Sequence, residues 1–465
     1  MTITPQSLVR QLADICGPAN TVEDPGELAQ YQIGAMRPMA AAKPASSEDV
    51  AEIVKLAAGE GLALVTCGAR SKLGMGMPPR KYDLALDLTR LNRVIAYDPG
   101  DLTLGVEAGI LLASLDGELR KHSQFLPLAV PFFRSATAGG TVASGVDTPL
   151  RQFYGTARDY ILGMEFVTGS GVLTKSGGRV VKNVTGYDLH KLMIGAMGTL
   201  GVITKINFRT FPLALEPRTF VASFANAAGA LALRNLVADS PLRPLSLDIL
   251  SPGIAQVFSG KMAEQIEPAP LPVGLFSRSS WLVAAQFVGN ESIRTRNESE
   301  LERMTREAGG ARVENFSMRE MEGLAGRIRE FVPIALGNSP AATIVKIGVL
   351  PSRMNEILAA CERAAEENNL RWAAVARGVG IILAALLPEE RNEESARRVR
   401  RATEQIAEST SALGGNLTIP WCPEEWKTQL KIWGIERNDF EQMKKLKQFF
   451  DPHGTLSPGR FVGGL

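Results

Sequence analysis

The chain has 465 residues, too many for one ordinary core, so two substantial domains are expected. Its 51 basic and 49 acidic side chains leave a net charge of +2, which gives no field to gather a polyanion and argues against nucleic-acid binding. Hydrophobic residues at 45% and charged residues at 22% exclude a disordered or fibrous chain.

The amino terminus, "MTITPQSLVRQLADIC", has neither the basic start nor the apolar core of a secretory signal. The most apolar later run, "VGIILAALLP", is far shorter than the roughly 20 residues that a membrane span needs. A cytoplasmic protein is expected, reaching a membrane only through a partner. Cys16, Cys67, Cys361 and Cys422 form no CxxC pair, so neither an iron–sulfur cluster nor a Cys-based zinc site is read from them. The three histidines, His122, His190 and His453, are too few and too far apart for a His-rich metal centre.

In chain order, "SSEDVAEIVKLAAGEG" reads as a capped helix with Val50, Ile53, Val54 and Ala57 on one face. "LALVT" follows as a buried strand, then the loop "CGARSKLGMGMPP", strands in "DLALDL" and "DLTLGVEAG", and the helix "LLASLDGELRKH" that carries His122. Residues 126–160 are rich in Gly, Ala, Thr and Pro without periodicity, and so long an irregular stretch in a compact domain is usually functional. "ILGMEFVTGSGVLTK" suits a hairpin. Leu189, Leu192, Met193, Ala196 and Met197 recur at helical spacing, with Thr185 as N-cap and Gly198 as stop. After Pro212, two strand–helix–strand rounds predict one antiparallel sheet with helices on one face, followed by a last helix around Phe440, Met443 and Leu446.

Four glycine-bearing segments could carry chemistry. Gly68, Gly74 and Gly76 miss the spacing of a Rossmann fingerprint, and no GxxxxGK[ST] loop is present. Exposed amides in "GARSK" could still cradle phosphate oxygens, although a plain surface turn is an equal reading. In "ATAGGTVASG", Gly139 and Gly140 allow a flat ligand or a pyrophosphate close to the backbone, against the alternative of a tight turn under the sheet.

Together, "GARSK", "ATAGGTVASG", "YGTARDYILG" and "KNVTGYDLHKLMIGAMGTLGVIT" resemble, in order and spacing, the FAD-binding domain of the vanillyl-alcohol-oxidase or PCMH-type flavoproteins. Within that family the resemblance is to the FAD-binding subunit of bacterial glycolate oxidases, which carries "GGGSK", "ATLGG", "RDxxLG" and "KNVAGYDL" leading to "GTLG". It covers about residues 45–213, with an echo in "FDPHGTLSPGRF" of the family's closing "DPxGxLNPG".

The resemblance implies an α+β fold: a PCMH-type FAD-binding domain of two α+β subdomains, residues 1–213 with its core at 36–213, and an antiparallel-sheet-plus-helices cap, residues 214–430. Residues 431–465 would return to the FAD domain. It implies that Gly68, Ala69, Arg70, Ser71 and Lys72 form a pyrophosphate loop. Ala69 and Arg70 replace two family glycines, so a tighter or less avid loop is expected. Thr137, Ala138, Gly139, Gly140 and Ser144 would form a second wall, Gly155, Arg158 and Asp159 an edge, and Gly198, Leu200, Gly201 and Val202 a segment beside the flavin.

Some family members attach flavin covalently through a histidine in or near the first loop or before the double glycine. None of the three histidines lies there, so noncovalent FAD is expected. The family's catalytic subunit has metal-spaced histidines in its cap, whereas this chain has no histidine between 191 and 452. The usual hydroxy-acid site is therefore expected to be missing or altered. Arg327, Arg329 and Arg353 are possible carboxylate partners, with solvated arginines the blander reading. Tyr187 and Lys182 could reach the flavin, with a buried tyrosine anchoring a turn the alternative. Trp421, Trp426 and Trp433 are read as core packing.

The function implied is an FAD-bearing subunit of a glycolate or D-2-hydroxy-acid dehydrogenase. Its implied partners are a homologous catalytic flavin subunit and an iron–sulfur subunit. The alternatives are a self-sufficient FAD oxidoreductase of an alcohol or sugar, and a structural subunit without chemistry.

Overall fold

The structure is a computed structural model that describes residues 3–179, 186–213, 217–272, 274–276, 280–313, 317–435 and 438–465. Its strands form three principal sheets. The first holds β1 (Thr21–Val22), β2 (Ala40–Ala42), β3 (Leu64–Cys67) and β4 (Leu84–Asp87) in the order β1-β2-β4-β3, with β2, β4 and β3 mutually parallel. Parallel strands covered on both faces need continuous apolar runs, and "LALD" in β4 is buried throughout. The helix Ser47–Gly59 covers this sheet through Val50, Ile53, Val54 and Ala57, the face expected from the sequence, and Ser46 caps it by accepting from the Asp49 amide.

The second sheet begins with β5 (Val94–Asp98) and β6 (Thr103–Glu107), from which β7 (Gln124–Phe125) departs. It continues with β8 (Ile161–Val167), the hairpin partner β9 (Leu173–Gly177) and β10 (Val202–Arg209), in the antiparallel order β5-β6-β10-β8-β9. A short strand, β11 (Phe211–Pro212), then pairs with β7. One apolar core joins the two sheets, from Leu8 to Phe208, and takes in Phe450 and Leu456 from the far end of the chain.

The third sheet has eight antiparallel strands. They are β12 (Arg218–Phe224), β13 (Ser246–Leu250), β14 (Trp281–Phe287), β15 (Ala311–Arg312), β16 (Thr343–Gly348), β17 (Arg371–Arg377), β18 (Ile381–Leu387) and β19 (Asn416–Trp421). Their order is β15-β12-β14-β13-β17-β18-β16-β19. Side chains alternate along each strand, so Ala374 and Ala376 join one core while Ala373 and Val375 join another. Helices cover both faces, not one as the repeating pattern suggested. Ala227–Ala238, Glu291–Glu307, Met354–Glu367 and Glu393–Ala412 lie on the first side, and Ile254–Phe258, Met318–Arg329 and Phe331–Asn338 on the second. The second layer escaped the sequence reading because its helices are short and interrupted.

The expected helix through Met197 is a single turn, His190–Met193, since Gly195, Met197 and Gly198 all take positive φ, and its expected cap Thr185 lies outside the described residues. Among the described residues no helix is long and apolar enough to cross a membrane.

The C-terminal helix Phe440–Phe450 leads back to the first sheet, where Leu456 bridges Leu64 in parallel and Ser457 donates to the Leu64 carbonyl. Asp451 holds this return. Its buried carboxylate accepts from the amides of Thr455 and Leu456, both at 2.9 Å, and from Lys447 Nζ at 2.5 Å. Removing it leaves two amides without acceptors and takes the counter-ion from a buried ammonium that keeps only the carbonyls of Thr199 and Leu456. Asp451→Ala is expected to cost about 3 kcal/mol and to lower the urea midpoint. An unchanged midpoint would show that the C-terminal segment is held by other contacts.

Candidate functional site

The loop after β3 leaves from the carboxyl end of a parallel strand, where ligand sites of such sheets are usually found. It faces the segment entering the helix Ala138–Ser144, and the two are in direct contact. A Cβ on Gly68 would sit 2.2 Å from Thr137 Oγ1, so nothing larger than glycine fits. Thr137 in turn caps the helix by accepting from the Gly140 amide at 3.2 Å. Gly139 is pressed against Ala108, whose carbonyl accepts its amide at 2.7 Å.

Between these segments lies a cleft of about 740 Å³, solvent at its mouth included. Gly68, Ala69, Arg70, Ser71 and Lys72 form one side, and Thr137, Gly139, Gly140 and Ser144 the other, with Gly198 and Gly201 completing the wall. Segments more than 100 residues apart in sequence thus meet at one place. Thr66, Cys67, Ala143, Met197 and Arg460 also line it, and none was singled out from the sequence. For Arg460 a signal existed in the closing "SPGRF" segment, but a buried arginine bonded to backbone carbonyls has no motif of its own.

Other expected site residues lie elsewhere. Gly155, Arg158 and Asp159 do not line the cleft; Asp159 accepts from Thr156, as a capping box of the short helix Ala157–Tyr160, and Gly155 is packed on that carboxylate. Ala138 and Val202 are buried in the core, and Leu200 lines a separate apolar pocket. A Cβ on Gly201 would approach Phe166 and Met193 at 3.0 and 3.1 Å, so substitution there would disturb packing before it disturbed the cleft.

The arginines weighed as carboxylate partners are already engaged. Arg327 donates to the carbonyls of Phe258, Ala269 and Gly323, and Arg329 pairs with Glu267 and Glu330. Arg353 pairs with Glu356 on the surface. Tyr187 is 90% exposed and anchors no turn, and Lys182 lies outside the described residues. Trp421 and Trp426 are core, as expected, Trp421 also packing on Phe132 of the N-terminal region, and Trp433 packs against the core and donates to the Arg460 carbonyl.

The polar groups of the loop divide by sign. The carbonyls of Leu73 and Met75 accept from Arg460 Nη2 at 2.5 and 2.8 Å, and that of Gly74 from Lys427 Nζ at 2.7 Å. The amides of Ala69, Arg70, Ser71 and Lys72 have no acceptor among the described residues. Lys72 is 8% exposed, and among the described residues its Nζ meets only Ser71 Oγ, at 3.3 Å. Burial pulls this ammonium down to about 8, opposed by the field of Glu330. The buried hydroxyl of Thr66, a residue of the cleft lining, has no partner among the described residues. Free amides, an unanswered ammonium and an orphan hydroxyl around a glycine-lined cleft make a donor set suited to a diphosphate.

Residues 38–177 match the FAD binding domain family, and residues 216–419 match the C-terminal domain of the FAD linked oxidases. The chain belongs to the FAD-linked oxidases. Over 97% of its length it is 23% identical to glycolate oxidase subunit GlcD of Bacillus subtilis, covering 95% of that protein. It is 36% identical to glycolate oxidase subunit GlcE of Escherichia coli over 167 residues, 36% of this chain and 47% of that one. Its fold is that of p-cresol methylhydroxylase, with a TM-score of 0.76 at 18% identity over 98% of this chain and 96% of the other. It is likewise that of 4-ethylphenol oxidase from Gulosibacter chungangensis, with a TM-score of 0.75 at 17% identity and the same coverage. This is an FAD-dependent oxidoreductase with the fold of the PCMH-type enzymes, and the cleft's donor set fits the diphosphate of its cofactor.

The buried lysine gives a pH test. A diphosphate is held best by the protonated ammonium, so FAD affinity should fall as pH rises through about 8, by up to about tenfold per unit. Lys72→Met should bind FAD more weakly with the slope gone. Titrating cofactor-free protein on either side of that pH checks both; equal slopes in parent and variant would remove Lys72 from the binding site.

Proposed function

We propose that this chain is the FAD-bearing subunit of a glycolate or D-2-hydroxy-acid dehydrogenase complex in the cytoplasm. It works beside a homologous catalytic flavin subunit and an iron–sulfur subunit. The observation that carries the reading is the cleft between the loop after β3 and the Ala138–Ser144 helix, with four free amides and an unpaired Lys72. In that reading Gly68 to Lys72 hold the FAD diphosphate, while Thr137, Gly139, Gly140, Ser144 and Gly198 let the cofactor approach the backbone.

Bound FAD would supply a two-electron acceptor for oxidation of the CH–OH group of a hydroxy acid. The chain's own residues bind and orient it. Apolar Ala143 and Met197 keep water from the inner cleft, and Lys72 and Arg460 hold positive charge beside it. Noncovalent binding is supported by the absence of histidine from the lining and by Cys67, whose thiol burial holds firmly protonated.

A subunit role is supported by the cap. Within it, Arg377 lies buried between Asp248 Oδ1 at 2.6 Å and Asp147 Oδ2 at 3.4 Å, and Asp147 also accepts from Arg151 at 2.8 Å. A guanidinium shared by two carboxylates has little left for a substrate carboxylate. Among the described residues no group of His, Cys, Asp and Glu is arranged to hold a metal, and all four cysteines are free; in this reading the partner protein carries the electrons onward.

The test is to purify the chain alone and with its co-expressed partners, record the flavin spectrum, and add glycolate or D-lactate without oxygen. Bleaching is expected only in the complex, and acid precipitation should leave the yellow colour in the supernatant. Bleaching of the lone chain would make it self-sufficient, and a colourless, folded protein would make it a structural subunit.

A further inference from the structure

Arg70 occupies a left-handed backbone conformation, φ +63°, that residues with a Cβ rarely adopt. Nothing in an arginine side chain favours that backbone, so its surroundings must hold it. Its Nη1 donates to Asp87 Oδ2 at 2.9 Å, and its Nη2 to Gln30 Oε1 at 3.3 Å. The guanidinium lies over the Tyr31 ring, 5.0 Å from the centroid, and the Tyr31 hydroxyl donates to the same Asp87 oxygen at 2.7 Å. The other Asp87 oxygen accepts from the amide and hydroxyl of Thr89. Asp87 is the last residue of β4 and its side chain is 1% exposed, so the anchor belongs to the sheet and not to another loop.

We infer that Arg70 is a positioning residue: its side chain clamps the loop after β3 to Asp87 and Tyr31, fixing by tertiary contact a conformation that glycine would merely permit. The inference rests on the cleft being the FAD site. Its consequence is preorganisation, because a loop already held in place loses less freedom when its amides take up a ligand. The clamp also answers Arg70's charge locally, leaving Lys72 as the loop's uncompensated cation. The two basic residues therefore divide the work, Arg70 toward shape and Lys72 toward charge. The replacement of a family glycine by arginine becomes a gain in rigidity, the tighter of the two loops expected from the sequence and not the less avid one.

Three variants of the full chain separate clamp from backbone strain. R70A keeps a Cβ at the left-handed position without the clamp, R70G relieves the strain without the clamp, and R70K keeps the charge without the planar fork. Two readouts are needed: the FAD dissociation constant, and amide hydrogen exchange of residues 69–75 in cofactor-free protein. R70A should raise the dissociation constant by about tenfold or more and speed exchange in the loop, with R70G between it and the parent and R70K near R70A. Ala143→Phe, which fills the cleft away from the clamp, should abolish FAD uptake and leave loop exchange unchanged. R70A with parental exchange, or with faster exchange but an affinity within about twofold of the parent, overturns the inference. FAD binding by Ala143→Phe at parental affinity overturns the cleft reading instead, and loop exchange in R70A then still decides whether Arg70 clamps. Should R70A fail to fold, R70G carries both measurements.

Discussion

A loop that crosses a protein interior must find partners for its backbone polar groups, and this constraint organises the structure around the turn that leaves β3. The loop's carbonyls are capped by two buried cations, Arg460 and Lys427, from the last 40 residues of the chain. Its early amides are left free. The result is a one-sided surface, acceptors inside and donors at the cleft. Such a surface attracts an anion without any residue needing to touch it through its side chain.

This asymmetry explains why the carboxyl terminus returns to the first sheet. Arg460 can reach Leu73 and Met75 only because Leu456 and Ser457 lie along β3, and they lie there because Asp451 gathers Lys447 and two amides. A buried guanidinium without a carboxylate is expensive, and burial pulls Arg460 down to about 10. Three backbone carbonyls within reach supply the acceptors that keep it charged.

Much of this was legible in the sequence. The strand–helix rounds predicted the antiparallel sheet after Pro212 from local spacing, and the glycine segments in their order carried the resemblance that implied the fold of the first domain. The two walls that line the cleft were expected through that resemblance, since glycine spacing alone left a surface turn and a tight turn as alternatives. The parts that escaped depend on contacts across long separations. Arg460 and Lys427 look like ordinary basic residues until the chain is folded. Arg70 looked only like a replaced glycine, in a loop either tighter or less avid, because a clamp to Asp87 and Tyr31 has no spacing of its own. The helix expected through Met197 failed because Gly195 and Gly198 turn the chain where apolar periodicity alone would continue it.

The cleft is also tied to the second domain at both ends of its second wall. Before Thr137, the amides of Phe132 and Phe133 donate to the buried Glu330 carboxylate at 2.7 and 3.2 Å. After Ser144, Asp147 is held by Arg377. Both partners come from the cap, so the segment bearing Gly139 and Gly140 is clasped by cap charges on either side of its helix. Glu330 adds the opposing field felt by Lys72. Buried ion pairs contribute little net stability, but they fix register where apolar packing would tolerate sliding. The register here sets the gap between the glycine walls, which makes the width of the cleft a property of both domains and not of the first alone.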